Sequence, residues 1–114
     1  MAFQNVIGGG AGAYLTETGI TAAGTTQATA TTLNAQENEV TTVAAGSGVS
    51  LHPLLVPGEI QTVFNAGANE LKVYPASGVK INALTANLPM ILPTNTGVLF
   101  RSVSTTRVFG ILSV

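Results

Sequence analysis

Apolar and polar residues alternate most regularly between Glu59 and Asn82. Three short runs stand there. Glu59 to Phe64 puts Ile60, Thr62 and Phe64 on one face and Gln61 and Val63 on the other. Glu70 to Tyr74 puts Leu71 and Val73 inside, Lys72 outside and Tyr74 at the rim. In the third, Val79 and Ile81 flank Lys80. A period of two with β-branched residues predicts strands. The run Asn65-Ala-Gly-Ala-Asn69 breaks the first from the second, with Gly67 free to take positive φ. Pro75 cannot donate to a ladder and ends the second strand or places it at an edge. With Ala76-Ser-Gly78 as the next turn, the stretch predicts an antiparallel meander.

The same signals recur on either side. Thr25 to Leu33, Glu39 to Ala44 and Val49 to Leu51 predict strands separated by turns at Asn34–Asn38 and Ala45–Gly48. Val40 and Val43 break strict alternation, which suits a bulge or two buried faces. Val56-Pro-Gly58 turns into the central stretch. After Asn82, Leu84–Leu88 reads as a loop or a single helical turn, and a short apolar segment lies between Pro89 and Pro93. Two last runs, Val98 to Val103 and Arg107 to Val114, are apolar on both parities: Val98 and Phe100 against Leu99 and Val103, then Phe109 and Ile111 against Val108 and Leu112. Strands apolar on both faces are covered on both faces. In a small domain the second cover is expected to be another subunit. About eight to ten short strands with turn signals every 8–12 residues indicate an all-β fold: a β-sandwich, a jelly-roll-like form or a small barrel. No fixed-period repeat is evident.

Residues 1–25 obey neither period. Gly8-Gly-Gly-Ala-Gly12 favours a loop, and Gly19 and Gly24 interrupt the residues beyond it. The segment is nonetheless apolar, so an extended arm that orders on a neighbour is expected, preceding a single all-β domain at 26–114. Phe3, Val6, Ile7, Tyr14, Leu15 and Glu17 are its candidate partner-binding residues.

Composition sharpens the expectation of partners. The chain has 114 residues, 46% of them apolar but only 8% charged, against about 25% charged in ordinary soluble domains. Such a surface has few charges to keep copies apart. The net charge is −1, unevenly distributed. Residues 1–59 carry Glu17, Glu37, Glu39 and Glu59 with no cation, while the remainder sets Lys72, Lys80, Arg101 and Arg107 against Glu70. Either chance among few charges or complementarity within or between subunits accounts for this. No apolar run approaches the ~18 residues of a membrane span. Met1–Gly10 has no basic region and no sustained apolar core, so use without secretory export is expected.

Catalytic patterns are missing. There is no Cys, which excludes disulfides, thiolate metal sites and a thiol nucleophile. His52 is the single histidine and Asp is absent, so a Ser-His-Asp triad is impossible. Beside Pro53, His52 reads as structural. Glu37 and Glu39 would share a strand face but read as a solvated rim rather than an acid/base pair. No calcium loop is present. The glycine run lacks the Lys-Ser/Thr of a phosphate loop. Four separated cations do not make a nucleic-acid face. A sugar platform would need exposed aromatics, and there is no Trp and only Tyr14 and Tyr74. Neither an enzyme nor a cofactor or metal site is expected.

The run Phe64-Asn-Ala-Gly-Ala-Asn-Glu-Leu-Lys-Val-Tyr-Pro-Ala-Ser-Gly-Val-Lys-Ile-Asn82 resembles a pattern in small virion proteins of tailed bacteriophages, as does Gly24-Thr-Thr-Gln-Ala-Thr-Ala-Thr31. The likeness spans roughly residues 19–112. It departs near Arg107 and Val108, where a late aromatic would stand. The resemblance implies a head decoration (cement) or fibre-type component, all-β and commonly trimeric. It implies a homo-oligomer bound to the major capsid protein on the capsid surface, assembled in the host cytoplasm, without nucleic-acid or membrane partners. A receptor- or glycan-binding module of a tail fibre or spike is the alternative. A small secreted β-domain is a third reading, disfavoured by the missing export signal.

Overall fold

The structure is a computed structural model describing residues 15–113. Among these residues there are ten strands and one short 3-10 turn, Gln27–Thr29, so the fold is all-β. The strands are β1 (Thr16–Thr21), β2 (Thr31–Thr32), β3 (Glu37–Thr42), β4 (Gly48–Ser50), β5 (Ile60–Asn65), β6 (Leu71–Tyr74), β7 (Lys80–Ile81), β8 (Met90–Leu92), β9 (Thr96–Ser104) and β10 (Arg107–Leu112). They form a six-stranded sheet in the order β1-β3-β5-β9-β10-β7 and a four-stranded sheet in the order β2-β4-β6-β8.

The expected antiparallel meander is not what forms. From β1 to β6 the chain passes alternately between the two sheets. The odd-numbered strands β1, β3 and β5 pair in parallel in one sheet, and the even-numbered β2, β4 and β6 pair in parallel in the other. Parallel neighbours need a crossover, and here the opposite sheet supplies it. Alternation of apolar residues looks the same in both arrangements, so it could not distinguish them. Thr16, Glu37 and Thr62 stand side by side, as do Thr31, Val49 and Val73. The sequence distances between these neighbours are uneven, so the winding leaves no fixed repeat. After β6 the pairing becomes largely antiparallel. β8 lies on β6, β9 on β5, and β9 and β10 form a hairpin through a turn at Thr105 and Thr106. β7 closes the far edge of the larger sheet, parallel to β10.

The core lies between the sheets. The six-stranded sheet contributes Ile20, Val40, Val63, Val98, Phe100 and Val108; the other contributes Val49, Leu71, Val73 and Leu92. Leu71 and Val73 face inward and Lys72 does not, as the alternation predicts. Tyr74 is buried rather than at a rim, because its hydroxyl reaches the Thr25 carbonyl at 3.2 Å. β6 ends immediately before Pro75.

Several crossings are held by buried side-chain amides instead of strand ladders. Gln61, fully buried, donates to the Leu33 carbonyl (3.2 Å) and the Ala35 carbonyl (2.9 Å) and accepts from the His52 amide (3.0 Å). Asn65 donates to the carbonyls of Asn69 and Leu92, both at 2.9 Å, and accepts from the Gly67 amide. Buried backbone groups must be paired somewhere, and these amides pair them where the chain leaves one sheet for the other.

Two local expectations are corrected. Thr25–Leu33 is not one strand. Its first part is the 3-10 turn, in which the Thr26 amide donates to Thr29 Oγ1 (3.2 Å) and the Ala30 amide to the Thr26 carbonyl (3.0 Å). Threonine hydroxyls compete here for backbone groups that a ladder would use. Gly67 does not take positive φ. It is needed because a Cβ there would lie 2.4 Å from Val43 Cγ2. Val43, just beyond the end of β3, is the residue that breaks alternation, and it is buried in the core.

Of the segment expected as an arm, residues 1–14 lie outside the described residues. The remainder belongs to the domain. β1 pairs with β3, and Ile20 and Ala22 enter the core. A single buried side chain along β1 gives periodicity nothing to register.

Candidate interaction surface

One face of the six-stranded sheet covers the core, and register defines the other. In β5 the buried residues Gln61, Val63 and Asn65 point inward, so Ile60, Thr62 and Phe64 point outward. In β9, Val98, Phe100 and Ser102 are buried, leaving Leu99, Arg101 and Val103 outside. In β3 the outward residues are Glu37, Glu39 and Thr41, opposite in parity to buried Asn38 and Val40.

Cross-strand pairing arranges these outward residues in rows. One row is Ile60, Arg101 and Phe109. The next is Thr16, Glu37, Thr62, Leu99 and Ile111. A third is Glu39, Phe64 and Gly97. The result is an apolar centre of Phe64, Leu99, Phe109 and Ile111, with Val103 and Leu112 nearby. Phe109 and Ile111 are 51% and 57% exposed, and Phe64 is 41% exposed. Beside Phe64, Gly97 has no side chain, which leaves an open groove of about 390 Å³ bounded by Leu99, Ile111 and Leu112. Large apolar side chains exposed together mark contact surfaces far more than the same residues scattered singly.

Parity along the chain anticipates part of this face. Leu99, Phe109 and Ile111 belong to the two runs apolar on both faces. Phe64 is legible only as one member of a face, because alternation does not say which face is inside. In β5 the inside is the more polar one, its buried amides satisfied by hydrogen bonds. Among the expected partner-binding residues, Phe3, Val6, Ile7 and Tyr14 lie outside the described residues. Leu15 is exposed, and its carbonyl accepts from the amides of Gln36 and Glu37, each at 3.0 Å. Glu17 is exposed on β1, in register with Asn38. Neither belongs to the apolar centre.

The polar site around His52 is a separate feature. A pocket of about 140 Å³ is lined by His52, Leu55, Ser77, Ser102, Thr105 and Val108 among others. His52 is buried, and its Nδ1 accepts from the Leu54 amide at 3.1 Å. That bond requires an unprotonated Nδ1, and burial lowers the imidazole pKa below its ordinary value. Buried Glu59 accepts from the Val56 amide through Oε1 at 2.9 Å. Both side chains thus close the loop between β4 and β5. Among the described residues no group of three or more His, Cys, Asp or Glu could hold a metal ion, and no helix is long and apolar enough to cross a membrane.

Comparison with known protein families, with curated proteins and with solved structures finds no match for this chain.

Proposed function

We propose that the protein is a structural building block that works as an oligomer: a decoration protein of a tailed-phage capsid, bridging capsomers and stiffening the shell, with a trimer as the expected form. The observation that carries the structural part is the outward face of the six-stranded sheet, where Phe64, Phe109 and Ile111 lie exposed around half-buried Leu99. A face of this kind on a chain with only 8% charged residues suits permanent contact with other chains better than life as a free monomer. The virion part is supported by the resemblance of residues 64–82 and 24–31 to small phage virion proteins. The test is direct. Capsids assembled with and without this chain are compared for its stoichiometric retention and for resistance to heat or low salt. Retention with added resistance is expected. Absence from the particles would overturn the capsid reading.

A glycan-binding module of a tail fibre is less well supported. Tyr74 is buried. The exposed aromatics Phe64 and Phe109 lie on a sheet face rather than on loops, and phenylalanine offers no hydrogen bond to a sugar hydroxyl.

A further inference from the structure

We infer that the outward face of the six-stranded sheet is covered by a second copy of the same chain, oriented so that the acidic flank of one copy lies on the basic flank of the other. Strand order comes first. The early part of the chain is acidic and the late part basic, and the order β1-β3-β5-β9-β10-β7 places these parts at opposite ends of one sheet. Glu37 and Glu39 project outward from β3, whereas exposed Glu17 on β1 is in register with inward-facing Asn38 and lies off this face. Arg101 projects from β9, and exposed Arg107 on β10 pairs in register with Lys80 on β7. The apolar side chains are interleaved with the basic side: Phe64 and Leu99 separate it from the glutamates, while Arg101 stands between Ile60 and Phe109. The face is therefore a dipolar strip, acidic at the β3 end and basic from β9 to β7.

A strip of this kind is complementary to itself, but only one way round. Register sets Glu37 and Glu39 level with Leu99 and Gly97 of β9, while Arg107 is level with Ser104, so the line from acid to base runs obliquely across the strands. If two sheets pack face to face about a two-fold axis that lies in the interface perpendicular to this line, the glutamates of each copy lie over the arginines of the other. If the axis runs along the line, like charges meet, which costs rather than stabilises. The first axis is oblique to the strands, so the strands of the two copies cross at a large angle, as in orthogonal sheet packing. A closed ring obeys the same rule, with the acidic flank of each subunit on the basic flank of the next. Size is adequate. Six strands ~4.8 Å apart and about six residues long present roughly 500 Å² in plan, and more with side-chain relief, against ~800 Å² per partner in a standard interface. The groove beside Gly97 offers room for a bulky side chain of the partner.

This inference rests on the proposed function only for the existence of an oligomer and makes no use of the capsid. Sedimentation velocity on the full chain tests it with two variants, Glu37→Arg/Glu39→Arg and Arg101→Glu/Arg107→Glu. All four side chains lie on the outward face or in solvent, and unchanged circular dichroism and melting confirm that each variant folds. The wild-type chain should self-associate, less tightly at high salt. Each variant alone should associate at least tenfold more weakly, and an equimolar mixture should regain the wild-type affinity. Recovery in the mixture cannot come from a misfolded chain. A monomeric wild type, or association that neither variant weakens, would overturn the inference. So would weakening without recovery in the mixture. Any of these results leaves capsid retention to be judged separately, and failure of retention with recovery in the mixture would remove the capsid reading alone.

Discussion

Val43 and Gly67 illustrate how one contact can explain two irregularities. Val43 is out of step with the alternation of β3, and Gly67 sits in a turn without using positive φ. The Val43 side chain occupies the space a residue-67 Cβ would need. Gly67→Ala should therefore destabilise by about 1–3 kcal/mol through overpacking. Combined with Val43→Ala it should cost less than the sum of the two single changes but still destabilise, since the clash with Cγ2 goes while the residue-43 Cβ (2.7 Å) and amide nitrogen (3.1 Å) remain. Chemical denaturation of the four proteins measures the coupling, and strict additivity would refute the contact. His52 supports a pH prediction. Its folded pKa is lowered by burial, so the unfolded chain binds a proton more readily than the folded one. Both states are neutral at this group above the ordinary histidine value of ~6.5. As pH falls below that value, the unfolded state gains protons first and stability declines until the folded pKa is passed. Protonation also removes the acceptor for the Leu54 amide. Melting temperature should thus be flat on the alkaline side of ~6.5 in this respect and fall on the acid side. His52→Asn should flatten that slope.

Strands are legible in the sequence at the level of the element, and their partners are not. Leu71, Lys72 and Val73 read with the correct faces because alternation reports burial directly. Leu71→Ala should cost about 2–5 kcal/mol, since the side chain is fully buried. Lys72→Ala should cost under about 1 kcal/mol. Thermal or urea unfolding of the two variants checks the register, and equal losses would refute it. Pairing escapes the same reading for two reasons. Alternation is identical in parallel and antiparallel neighbours. The residues that route the chain between sheets, Gln61 and Asn65, are polar and so resemble surface. Only their hydrogen bonds show them to be interior. The outward face shows the converse, with Phe64 outside because buried amides hold the inside. Removing one such amide should therefore be as harmful as removing a core leucine. Gln61→Ala strips its side-chain partner from the Leu33 carbonyl and the His52 amide, while the Ala35 carbonyl keeps the Asn38 side-chain amide at 2.9 Å, and buried groups left unpaired cost about 1–3 kcal/mol each. A total of several kcal/mol is expected from urea unfolding; a loss under about 1 kcal/mol would mean that water takes over these bonds.

For the whole molecule, the start of the paired sheet determines how the N-terminal segment should be tested. Leu15 already accepts two backbone hydrogen bonds, and β1 places Ile20 in the core beside Ala22. A truncation confined to residues 2–14 therefore spares every described strand pairing, whereas one reaching residue 22 removes an edge strand and two core side chains. The first 14 residues contain Phe3, Val6, Ile7 and Tyr14. If they order on a neighbour, each ordered residue forfeits about 1–2 kcal/mol of backbone entropy, so a broad apolar contact must offset it. Deleting residues 2–14 should leave the melting temperature of the domain within a few degrees of the full chain while reducing retention on capsids or lowering the assembly state. Deleting residues 2–22 should in addition lower the melting temperature markedly. The two truncations separate the possibilities. Should the shorter one unfold the domain, residues 1–14 belong to its own core. Should it leave both folding and retention untouched, attachment depends on the described surface alone, and charge reversal at Arg101 and Arg107 should then be the change that releases the protein.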